Sequence, residues 1–286
     1  MDDKYILPDK VVKAYRYGNK LEVTNSVGNP RPVKKISETH YIDAQGNIQK
    51  YKLSGNRSDN LPSLRRSMNR LSRYIEHNFS GKPNEIWVTL TYANNEQDLE
   101  RVYKDYKSFI NALRTFVPEK YGNLEYIYAI EPQGRGAWHI HALIKSERMC
   151  YLFIAQKDIE RIWNRGFVSV RKVQPKDNIA AYLTAYLTNL KKGSGNSKKI
   201  IKDGRLHMYP RKTKFFRKSD GIAKPLEFKG KKERLWERLS IANAITAPTK
   251  SYRYKVKTDY GSTLNVFREF YNLKEWLDNA LSLIHI

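Results

Sequence analysis

His139-Ile-His141 sets two imidazoles two residues apart. On a strand the two-residue period puts both on one face and turns Ile140 into the opposite layer. Two imidazoles so placed can grip one divalent cation, and a carboxylate would complete a site for Mg²⁺ or Mn²⁺. Glu131 is the obvious carboxylate. The turn Pro132-Gln-Gly-Arg-Gly-Ala137 separates it from the histidine strand. If that turn closes a hairpin, Glu131 lies across from His139 or next to it. Ala129 then lies near His141 and leaves room for the ion. A lone His-x-His is common and unspecific; the carboxylate beyond a tight turn gives it weight.

The second group of residues is phenolic. Asn178-Ile-Ala-Ala-Tyr-Leu-Thr-Ala-Tyr-Leu-Thr-Asn-Leu190 reads as a helix with Ile179, Leu183, Leu187 and Leu190 as its apolar stripe. Tyr182 and Tyr186 are four apart, so their phenols project from neighbouring turns of one face. The stripe supplies a core face without them. A phenol near a divalent metal is a nucleophile for phosphodiester transfer, with the metal polarising the phosphate. The product is a 5′-phosphotyrosine and a free 3′-hydroxyl.

These groups need elements to hold them. Ile86–Tyr92, Leu124–Glu131, Trp138–Ile144 and Phe167–Val173 alternate or are β-rich and read as strands. The Gly/Pro turn makes the middle two an antiparallel hairpin. Helices are predicted over Leu61–Phe79, Leu99–Phe116, Ala155–Asn164 (stopped by Gly166) and from Asp177 or Asn178 to about Lys191. The order predicts an α+β fold: a central antiparallel sheet of about five strands with helices on one side, of the ferredoxin/RRM-like kind. Tyr15–Val23 suggests a hairpin about Gly18-Asn19. Two later helices, near Lys232–Ala244 and Leu264–Leu281, are predicted to close the fold. The organisation expected is an N-terminal extension with hairpin and basic helix over 1–80, a core over 81–192 and a basic C-terminal region over 193–286. The tail Leu281-Ser-Leu-Ile-His-Ile286 matches a translated sequencing adapter and reads as an artefact standing in for the natural C-terminus.

The 286 residues carry a formal net charge of +24. Such a surplus favours a polyanionic partner. Twenty tyrosines among the cations suit single strands, whose bases can stack. No run reaches the roughly 18 apolar residues of a spanning helix, and no signal peptide opens the chain, so no membrane association is expected and a cytoplasmic place is. A single cysteine, Cys150, excludes an internal disulfide and a cysteine-cluster zinc site. No phosphate-binding Gly-x-x-x-x-Gly-Lys loop is present, so no helicase module is expected.

Thr89-Leu-Thr-Tyr92, Glu131 with His139-Ile-His141, and Tyr182-Leu-Thr-Ala-Tyr186 together resemble the three ordered motifs of HUH endonucleases, the rolling-circle replication initiators of small phages, plasmids and single-stranded DNA viruses. The resemblance covers about residues 85–192. Phe215–Pro225 is similar to a segment that follows the tyrosine helix in phage-type members. The resemblance implies that Glu131, His139 and His141 bind the metal and that Tyr182 or Tyr186 is the nucleophile. Tyr182 is favoured because it opens the motif. Thr89 and Thr91 would sit near the DNA or steady the site, with Arg135, Lys191 and Lys192 as further DNA contacts. Many single-tyrosine members carry lysine where this chain has Tyr186, which puts a lysine assistant in doubt and allows a two-tyrosine scheme. The implied partner is single-stranded DNA at a replication origin in a bacterial host, with host polymerase and helicase acting indirectly. The rival readings are a relaxase or transposase with the same chemistry, a non-catalytic RRM-like binding module, and a basic capsid-associated protein.

Overall fold

The computed structural model describes residues 5–26, 34–43, 45–51, 61–174, 205, 208–239, 247–257 and 263–273. They fall into two compact units, Ser54–Lys224 and a discontinuous one of Met1–Leu53 with Pro225–Ile286.

The discontinuous unit begins with β1 (Val11–Tyr17) and β2 (Lys20–Thr24), the hairpin predicted about Gly18, whose φ is 52°. A small sheet follows: β3 (Lys34–Lys35), β4 (His40–Ile42) and β5 (Ile48–Lys50). The chain then builds the other unit. It contributes α1 (Leu61–Asn78), β6 (Glu85–Thr91), α2 (Leu99–Phe116), β7 (Leu124–Pro132), β8 (Trp138–Ser146), α3 (Gln156–Trp163), β9 (Val168–Lys172) and β10 (Phe216–Lys218). It returns through β11 (Leu226–Lys231), α4 (Lys232–Arg238), β12 (Lys250–Lys257) and β13 (Thr263–Asn272).

In the Ser54–Lys224 unit the five strands run in the order β10-β7-β8-β6-β9, every pair antiparallel. The α+β reading therefore holds. Ile86, Val88, Leu90, Ile130, Ile140, Ala142 and Ile144 alternate onto the face that meets α2 and α3. There Val102, Tyr106, Phe109, Ile110 and Leu113 of α2 and Ile159 and Trp163 of α3 complete the core. Asp98 caps α2, its carboxylate accepting from the Glu100 N–H at 2.9 Å. The predicted stripe of α1 (Leu64, Met68, Leu71, Ile75) is buried as well. The α1 helix meets the other face of the sheet: Tyr74 packs on Phe216, and the Asn78 carbonyl accepts from Lys145.

Three expectations change. The helix predicted over Leu264–Leu281 is, through Asn272, strand β13, paired along its length with β12 and with β2. Val266, Phe267, Phe270 and Tyr271 suit a helical stripe and a strand alike, and long-range pairing decides. The helix begun at Lys232 ends at Arg238, and residues 240–246 lie outside the described set. The α3 helix ends at Asn164, in the left-handed conformation at φ 42°, before Gly166 is reached. Gly166, at φ 151°, serves the sheet instead. A Cβ there would stand 2.4 Å from the Thr91 carbonyl oxygen and the Ala93 nitrogen. The tyrosine helix and the Lys192–Lys199 loop lie outside the described residues.

The described residues group differently from the partition 1–80, 81–192 and 193–286. The α1 helix joins the central sheet's unit, while the first and last segments share one sheet of order β11-β1-β2-β13-β12.

Candidate active site

The central strand β8 carries both histidines, between β7 and β6. Its register pairs His139 with Glu131 on β7 and with Thr91 on β6; His141 pairs with Ala129 and Thr89. Directly opposed residues share a face, so Glu131, His139, His141, Thr89 and Thr91 form one group away from α2 and α3. Both the carboxylate across the turn and the small residue beside His141 fall where the spacing places them.

The turn is held by its own arginine. Arg135 donates to the Tyr92 carbonyl at 2.6 Å and to Gln133 Oε1 at 3.1 Å, tying the β7–β8 turn to the end of β6. Assigned from sequence to DNA contact, Arg135 thus has part of its guanidinium occupied within the protein.

His141 and Glu131 are each 7 % exposed, and His141 Nε2 lies 3.1 Å from Glu131 Oε2. On its other side His141 Nδ1 lies 3.2 Å from Thr89 Oγ1. The edge of Trp87 borders it. Glu131 Oε1 stands 3.8 Å from Arg205, which also donates to the Pro132 carbonyl. His139 differs: its Nε2 is buried without a hydrogen-bond partner. Burial, then the neighbouring His141, Arg135 and Arg205, holds its pKa down to about 4. Its imidazole is therefore neutral at physiological pH, with a lone pair available.

Among the described residues no three metal-binding groups already gather round one point. The donor set nevertheless fits a hard divalent ion. Two ligands at right angles on Mg²⁺, each at its usual 2.0–2.1 Å, are about 3.0 Å apart. The His141–Glu131 separation matches that spacing. The orphaned Nε2 of His139 is the third donor, brought in by rotation of its side chain. Thr89 is placed to hold the remaining nitrogen of His141, the support that metal-binding histidines ordinarily have.

Tyr182, Tyr186, Lys191 and Lys192 lie outside the described residues. The described phenols near the sheet are engaged elsewhere. Tyr106, Tyr126 and Tyr128 stack together on the α2 face. Tyr209 donates to the Ile130 carbonyl at 2.7 Å and packs on Trp138 and Phe215. Burial pushes the phenols of Tyr106 and Tyr209 well above their ordinary pKa, the opposite of activation.

Two residues of this region escape a reading by motif. Arg205 follows Glu131 by 74 positions, and no local pattern links them. Phe167 is 65 % exposed, and its carbonyl accepts from the Thr91 N–H at 2.9 Å, extending the β9 ladder. Strand alternation from Ser169, opposite Thr89, puts its ring on the histidine face. The signal was there: an aromatic two residues before a polar strand position.

An antiparallel α+β sheet bearing a carboxylate and two histidines on one face defines a class of protein suited to work on phosphodiesters. Residues 85–191 match a family model described as replication-associated protein, of the ORF2 type, and the segment belongs to that family of replication-associated proteins. No curated protein and no solved structure matches the chain.

Proposed function

We propose that the protein nicks and rejoins single-stranded DNA at a replication origin to initiate rolling-circle replication. The observation that carries this reading is the pairing of Glu131 with His139 across the β7–β8 turn, with His141 on the same face and the His139 Nε2 unpartnered. Glu131, His139 and His141 would hold Mg²⁺ or Mn²⁺. When bound, the ion polarises the scissile phosphate and orients it. Thr89 keeps the His141 ring in place. The phenol of Tyr182, or of Tyr186, loses its proton and attacks phosphorus. The Tyr O–P bond forms, the P–O3′ bond breaks, and the departing 3′ oxygen takes up a proton. The 5′ end stays on the tyrosine; the free 3′-hydroxyl primes host-polymerase synthesis. Attack by that hydroxyl, or by a later one, reverses the chemistry and rejoins the strand. Membership in a replication-associated family supports this reading, as does a net charge of +24, which gathers DNA. A relaxase or transposase would use the same steps at a different site.

The test incubates the protein with random and origin-derived single strands and Mn²⁺ and scores covalent protein–DNA adduct on denaturing gels. Wild type is expected to form it, and EDTA or Tyr182→Phe with Tyr186→Phe to abolish it. An adduct in each single variant but not in the double marks interchangeable phenols. No adduct from wild type on any strand overturns the enzymatic reading in favour of a non-catalytic binding module.

A further inference from the structure

The discontinuous unit has a sheet with two unlike faces. One is its core: Val12, Ala14, Leu21, Val23 and Tyr271 pack with Leu235 of α4. The opposite face is laid out by the strand register. One row across all five strands reads Lys229, Lys13, Thr24, Arg268, Tyr252; the adjacent row reads Glu227, Tyr15, Glu22, Phe270, Lys250. The next position outward on β12 is Tyr254. Tyr252 and Tyr254 are 46 % and 45 % exposed.

Cations and rings alternate in contact. Lys250 Nζ lies 5.0 Å from the Tyr252 ring centre, Arg268 lies over Phe270, Lys13 over Tyr15, and Tyr252 meets Phe270 edge-on at 6.0 Å. The two carboxylates of these rows are already matched: Glu22 by Arg268 and Glu227 by Lys13 at 3.6 Å. With Lys20 and Lys231 on the same face, cations outnumber carboxylates there six to two. The rows cross four inter-strand gaps, about 19 Å. Exposed phenol rings flanked by cations offer π-faces to unpaired bases and charge to the phosphates between them. A duplex hides its base faces, and an anionic lipid surface has no use for rings held upright on a sheet.

We propose that this face is a second, non-catalytic binding surface for single-stranded DNA, with Tyr252 and Tyr254 as its stacking residues. Its binding needs neither metal nor phenolic nucleophile, so it stands apart from the nicking chemistry. The test uses the full chain in EDTA and a fluorescein-labelled dT20, followed by polarisation. Tyr252→Ala with Tyr254→Ala is expected to weaken binding by roughly tenfold or more, and Tyr252→Phe with Tyr254→Phe to retain it. Lys250→Ser is expected to lower the log–log salt slope by about 0.7. A 5-iodouracil strand irradiated on the wild-type chain is expected to crosslink within 250–257. Unchanged affinity in the alanine pair together with no crosslink there overturns the proposal. So does tighter binding of duplex DNA, or of phosphatidylserine vesicles, that the same alanine pair abolishes. Should the alanine pair fail to fold by circular dichroism, the crosslink and the Lys250→Ser slope decide.

Discussion

Each of the three central side chains answers to one neighbour in particular. His141 lies between Glu131 and Thr89, so its ring orientation depends on both. Replacing Thr89 by valine keeps the volume and removes the hydroxyl. Thr89→Val is expected to raise the Mn²⁺ concentration for half-maximal adduct by about 10–100-fold, the usual cost of losing such a partner, while the melting temperature changes little. His139→Ala is expected to abolish the adduct at any Mn²⁺ concentration. A Mn²⁺ titration of adduct formation checks both, and an unshifted midpoint in Thr89→Val would remove Thr89 from the site. The residues of this site that could be read in sequence are those tied by local periodicity. Glu131 and His139 are joined by one short turn, so their meeting needs no distant element. Arg205 reaches Glu131 from a separate part of the chain, where only the folded arrangement can bring it.

At the scale of elements, the strands were readable because alternation is a property of a few successive residues. The ends were harder to read. Gly166 illustrates why: as a sequence signal it looks like a helix stop, yet Asn164 already ends α3. The glycine lets the chain pass against the end of β6, with Thr91 O and Ala93 N at 2.4 Å from where a Cβ would sit. Gly166→Ala must shift backbone and hold a positive φ. It is expected to cost about 3 kcal/mol and lower the melting midpoint of the central unit by about 6–12 °C, measured by calorimetry. A midpoint within a degree of wild type would mean that the β6–α3 junction yields easily.

At the scale of the molecule, the first and last segments depend on each other. Glu269 of β13 is fully buried and receives Lys232 at 2.8 Å, the Tyr271 hydroxyl at 2.8 Å and the Ile6 N–H at 2.6 Å. Lys232 in turn donates to the Ile6 carbonyl at 2.7 Å. A buried pair of this kind adds little over an apolar pair, but breaking it leaves a charge stranded. Glu269→Ala is expected to destabilise the discontinuous unit by about 3–5 kcal/mol. Amide exchange is then expected to quicken in β1 and β2 together with β13, while the central sheet keeps its protection. Quickening confined to β13 would show that the two ends of the chain do not fold as one unit.

By itself the sequence determined the residue types, the two-residue alternation that sets His139 and His141 on one face, and the tight turn that brings Glu131 to them. It also determined the apolar stripes that seat α1 and α2. All of these are set within a few residues of one another. Tertiary structure alone decided that 263–272 is a strand, because a strand's hydrogen bonds are supplied by a partner some 240 residues away in β2. It also decided that Arg205 stands beside Glu131, and that basic and aromatic residues from both ends of the chain line one sheet face. A pattern confined to one segment carries no record of which distant segment will complete it.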